Sequence, residues 1–155
     1  MDLIKRKAFI DRLAARRGGR IYHYTEALKA IEPGILPLVK VFETIMTTPI
    51  FSCAGHWDEK SEPNVMFVVL PGKKALFQKF LDGIMVSTPD NCHTMEFSHS
   101  YRCKRYGYGP FIDWHIEIKM PWYQICSARK YEAVRNELVQ RYAKYLKARF
   151  AGLAK

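Results

Sequence analysis

Asn64-Val65-Met66-Phe67-Val68-Val69-Leu70, closed by Pro71-Gly72, is the stretch on which the fold turns. It is strand-sized and apolar on both alternating faces, the pattern of a central strand covered on two sides. Pro71-Gly72 turns the chain. Residues 73–84 then bring Leu76, Phe77, Phe80, Leu81 and Ile84 to one side of an amphipathic helix.

Upstream, residues 50–53 read as a strand and 54–63 as a polar loop. Ile35, Leu38, Val39, Phe42 and Ile45 line one side of a helix expected over 36–46. Pro37 fits its first turn, and Thr47-Thr48-Pro49 breaks it. Thr25 and Glu26 open a short helix, 25–31, which Glu32-Pro33-Gly34 interrupts. Downstream, 95–102 and 111–120 read as paired strands. The coarse order is α-α-β-β-α-β-β-α: one α+β domain, with amphipathic helices covering a mainly antiparallel sheet of about four strands.

A chain of 155 residues fits a single domain. At that size roughly 70% of the unfolded surface is buried, so neither disulfide nor metal is needed for stability. With 48% apolar, 14% aromatic and 26% charged residues, the composition excludes a disordered chain. No run approaches the about 20 apolar residues of a membrane span, and the start, Met1-Asp2-Leu3-Ile4-Lys5-Arg6-Lys7, lacks a signal peptide's apolar core. The four cysteines, Cys53, Cys92, Cys103 and Cys126, read as reduced thiols of a cytoplasmic protein.

The net charge of +10 is localised. Residues 1–20 carry seven bases and two acids, residues 129–155 eight bases and two acids, and the stretch between them ten bases and eleven acids. Both ends read as helices. Leu3, Ile4, Ile10, Leu13 and Ala14 make a loose stripe over 3–17, with Gly18-Gly19 as the stop. Tyr131, Val134, Leu138, Tyr142, Tyr145 and Phe150 make another over 128–150. The bases fall mostly off these stripes. Such faces either solvate a small protein or form an electrostatic footprint for phosphate backbones, with Arg12, Arg16 and Arg17 at one end and Arg135, Arg141 and Lys144 at the other. The Ala- and Tyr-containing stripes resemble core seams, which argues against a membrane surface.

The sharpest local motif is Ser52-Cys53-Ala54-Gly55-His56. A strand delivers the thiol to its end, Gly55 permits a tight turn, and an imidazole follows three residues after the cysteine. A thiol so placed is a candidate nucleophile, or a small buried side chain; Cys-x-x-His is also half of a zinc-site spacing. Ser52, Cys53, His56 and His115 are the candidate catalytic residues. His115 belongs to the polar stripe Asp113, His115, Glu117 and Lys119, opposite Ile112, Trp114, Ile116, Ile118 and Met120. That stripe orients a substrate or is simply the solvent face of a half-buried strand. No two ligand pairs have the spacing of a structural zinc site, so no metal is expected.

The run from Gly34-Ile35-Leu36-Pro37-Leu38-Val39 through Thr48 to His56, followed by the 65–70 strand, resembles a loose group of uncharacterised phage and bacterial proteins with a Ser-Cys-x-Gly-His turn. More distantly, Ser52-Cys53-Ala54-Gly55 resembles a segment of the wybutosine-synthesis tRNA methyltransferase family. The matched run as a whole covers about 40 residues. The likeness to the tRNA-modifying family implies a site at Ser52, Cys53 and Gly55 and S-adenosylmethionine as cofactor. His56 departs from it, standing where that family has Arg.

The turn Cys103-Lys104-Arg105-Tyr106-Gly107-Tyr108-Gly109-Pro110 offers Tyr106 and Tyr108 for stacking on bases, and Arg102, Lys104 and Arg105 for phosphates. An ordinary hairpin loop with its tyrosines folded back is the plain alternative. The leading expectation is a nucleic-acid-binding protein, RNA ahead of DNA. The competing ones are a small enzyme centred on Cys53 and His56, and an accessory protein of a mobile element with an acidic protein partner.

Overall fold

The computed structural model describes residues 31–86, 95–102 and 111–153. The helix expected over 3–17 and the Tyr-rich turn lie outside these residues, and the helix expected over 25–31 reaches them only at Ile31. The described elements follow the anticipated order: α1 (Leu36–Val41), β1 (Thr47–Cys53), β2 (Asn64–Val69), α2 (Lys74–Val86), β3 (Met95–Arg102), β4 (Phe111–Ile118), a short 3-10 turn (Trp122–Gln124) and α3 (Ala128–Leu153). The strands form one antiparallel sheet in the order β1-β2-β4-β3. The fold is α+β.

The segment 64–70 does supply an inner strand. In β2, Val65 and Phe67 join the main core, opposite Ile116 and Trp114 of β4. Val68 is buried as well but stands apart from that core cluster, on the other face. The helices α1, α2 and α3 contribute Leu38, Phe77, Phe80, Leu138, Tyr142, Leu146 and Phe150 to the core, and Phe42 joins them from the end of α1. Ring stacking ties the layers together: Phe42 stacks on Phe67 at 4.2 Å and Phe80 on Phe150 at 4.1 Å. Such pairs contribute about 0.5–1.5 kcal/mol each beyond their burial.

Several boundaries differ from expectation, chiefly at the junction of the first helix with β1 and at the end of β4. The first helix stops at Val41, not at 46. The Thr44 hydroxyl accepts the backbone N–H groups of Met46 and Thr47 at 3.0 Å, and the buried Thr47 hydroxyl donates to the Phe42 carbonyl at 2.8 Å. These side chains give the backbone a turn in place of a further helical one. The chain therefore enters β1 at Thr47, three residues early. Pro49 is accommodated because β1 lies at the edge of the sheet among the described residues, with a register shift between Pro49 and Phe51. The second difference is at β4, which ends at Ile118.

Helix α3 begins where Ser127 caps it, its hydroxyl accepting the Lys130 N–H at 3.1 Å. Its buried seam is Tyr131, Leu138, Val139, Tyr142, Ala143, Leu146 and Phe150. No helix among the described residues is long and apolar enough to cross a membrane.

Candidate functional site

The loop between β1 and β2 is folded tightly. The His56 N–H donates to the Ser61 hydroxyl at 2.7 Å, and the Ser61 N–H donates to the His56 carbonyl at 3.1 Å. Gly55 holds φ +77°, a left-handed conformation in which a side chain is strained. Its N–H donates to Cys53 Sγ at 3.4 Å. This reversal brings the thiol and the imidazole of the Cys-x-x-His segment into one cluster.

A third donor comes from a distant segment. Glu32 Oε2 accepts the Ala54 N–H at 2.7 Å, while Glu32 Oε1 lies 3.5 Å from His56 Nε2. Donor atoms of Glu32, Cys53 and His56 all fall within 4.8 Å of one another, and all three residues are partly exposed. Ser52 is outside this cluster, as strand alternation requires of the residue beside Cys53. His115 is outside it too: it pairs with Met66 and Ser98, and β2 separates its strand from β1.

Helix α3 closes one side of the loop. The Tyr131 hydroxyl donates to the Ser61 carbonyl at 2.8 Å, and its ring stacks on Trp122, which in turn lies beside Trp57. Burial pushes the Tyr131 phenol well above its ordinary pKa; Arg135 opposes this, and Cys53, Glu62 and Glu32 add to it. Trp122 Nε1 donates to Glu62 Oε1 at 2.9 Å. Burial also raises the Glu62 carboxyl, against the lowering effects of that bond and of Lys119 at 3.8 Å.

The bases of α3 divide into two groups. Arg135 lies over the Tyr131 ring at 5.9 Å and fills the space above Gly34, where a Cβ would meet its guanidinium at 2.5 Å. Arg141 bonds Glu137 at 2.7 Å, and the Arg149 guanidinium packs on Gly83. Arg129, Lys130, Lys144 and Lys147 are exposed and make no ion pair among the described residues. Arg12, Arg16, Arg17, Lys104, Arg105, Tyr106 and Tyr108 lie outside the described residues, and only the backbone of Arg102 is described.

Glu32 and Tyr131 carry no motif signal. Glu32 looks like part of a helix-breaking Glu-Pro-Gly, and Tyr131 like a seam residue; no spacing links either to Cys53. Comparison with protein-family models, curated proteins and solved structures found no match.

Proposed function

We propose that this chain binds nucleic acid, RNA ahead of DNA, through the bases of its terminal segments. The observation that carries the reading is the division of charge on α3. Of its bases, Arg129, Lys130, Lys144 and Lys147 are exposed without an ion pair among the described residues, along a helix about 39 Å long at 1.5 Å per residue. Exposed, unpaired bases are what a phosphate backbone engages, with release of its counterions. The like-signed excess in residues 1–20 supports the same reading. The preference for RNA rests on Tyr106 and Tyr108, read from the sequence as stacking residues, and on the resemblance of the Ser52-to-Gly55 segment to a tRNA-modifying family.

Fluorescence anisotropy tests this, with a labelled single-stranded RNA and a DNA duplex of equal length, between 50 and 200 mM salt. Four phosphate contacts on a single strand lower the affinity roughly 50-fold over that range. Absence of binding at low salt, or affinity indifferent to salt, contradicts the reading. So does a cellular complex that survives nuclease intact, which belongs to an acidic protein partner.

A further inference from the structure

We propose that Glu32, Cys53 and His56 bind one divalent transition-metal ion of the zinc type, with the fourth coordination position open to solvent. Thiolate, imidazole and carboxylate together form a zinc donor set, and three protein ligands with one open position are the composition of reactive rather than structural zinc sites.

Geometry supports metal over a thiol–imidazole–carboxylate relay. The 3.5 Å between Glu32 Oε1 and His56 Nε2 is long for the hydrogen bond that orients a catalytic imidazole. It is close to the about 3.3 Å that separates two ligands of a tetrahedral ion with bonds of about 2.0–2.1 Å. The remaining donor separations, within 4.8 Å, close to such a shell through side-chain rotation. The carboxylate is already oriented for a cation, since Oε2 is anchored by the Ala54 N–H and Oε1 is left to face the imidazole. No Lys or Arg pairs with Glu32 among the described residues, so a bound cation would supply the charge that Glu32 and a Cys53 thiolate call for.

Full-length protein, stripped with a chelator and kept reduced, is titrated with Co²⁺ and then with Zn²⁺ in competition. One ion per chain is expected, with a sulfur-to-cobalt charge-transfer band. Cys53→Ser abolishes the band and weakens Zn²⁺ by at least about 100-fold, beyond the 10–100-fold typical of second-shell changes. Cys126→Ser, at the other described free thiol, leaves both unchanged. Should Cys53→Ser unfold by circular dichroism, His56→Gln and Glu32→Gln decide instead, since Gln at position 32 still accepts the Ala54 N–H; each weakens Zn²⁺ about 100-fold on the same scale. No stoichiometric Co²⁺ binding, a band that persists in Cys53→Ser, or Zn²⁺ affinity unchanged in the other two variants overturns the proposal. RNA affinity is measured separately, so failure here leaves the nucleic-acid reading standing, and the reverse.

Discussion

The Tyr131 hydroxyl rests on the backbone of Gly55, close enough that a Cβ at position 55 would collide with it. The same Cβ would lie 2.7 Å from the Ser61 carbonyl oxygen and 2.9 Å from the Pro63 nitrogen. Helix α3 and the Cys53–His56 turn are thus fitted to each other through a residue without a side chain. Gly55→Ala combines this clash with left-handed backbone strain, and each such strained residue costs about 1–3 kcal/mol. Tyr131→Phe loses one hydrogen bond, about 1 kcal/mol. Denaturant unfolding should rank Gly55→Ala as the more damaging, and adding Tyr131→Phe to it should recover only part of the loss, since the backbone contacts remain.

Glu62 provides a pH signature. Its folded-state pKa is raised, so folding favours the protonated form. Its contribution is therefore present below the unfolded value of 4.5 and is lost as pH rises through the higher folded value. Glu62→Gln keeps an acceptor for Trp122 Nε1 and cannot ionise. Thermal melts should show the variant more stable than the parent at pH 7, with the difference vanishing near pH 4. A variant less stable at pH 7 would mean that the Lys119 ion pair outweighs the cost of burial.

Thr47 marks the point where helix yields to strand. It is fully buried, and its hydroxyl donates to the Phe42 carbonyl. Thr47→Val keeps the shape and removes the donor, leaving that carbonyl without this bond. A loss of about 1–3 kcal/mol is expected from denaturant unfolding. Phe67→Ala, which removes the ring stacked on Phe42 and set edge-on to Phe77, should cost about 3–5 kcal/mol.

Arg135 and Lys144, both read from the sequence as phosphate contacts, differ in their surroundings. Arg135→Ala removes a cation–π contact and the packing over Gly34, so it should cost stability, on the order of 0.5–1 kcal/mol. Lys144→Gln should leave the melting temperature unchanged and weaken RNA binding. Paired melts and anisotropy titrations distinguish the two.

The fold is legible where apolar periodicity carries it. The 64–70 strand, the helix after Pro71-Gly72 and the long C-terminal helix each announce themselves by spacing. The early end of α1 is not legible, because hydroxyl-to-backbone bonds from Thr44 and Thr47 compete with helix formation and leave no periodic trace. The Cys53 and His56 part of the site is legible, since the two are neighbours in sequence. Glu32 enters through a bond to the Ala54 backbone, a contact across 22 residues of sequence that no local pattern encodes. The division of bases on α3 is equally hidden, because Arg135 and Lys144 look alike until Gly34 and Tyr131 are placed beside one of them.

The central claim, that the exposed bases of α3 engage phosphate, is tested most directly by the salt slope of RNA binding for the parent and for a Lys144→Gln, Lys147→Gln double variant. Each lysine on a single-stranded phosphate contributes about 0.7 to the slope of log K against log salt. The double variant should be shallower by about 1.4, twice that single-lysine contribution, with its melting temperature unchanged. Identical slopes in the two proteins would contradict the claim.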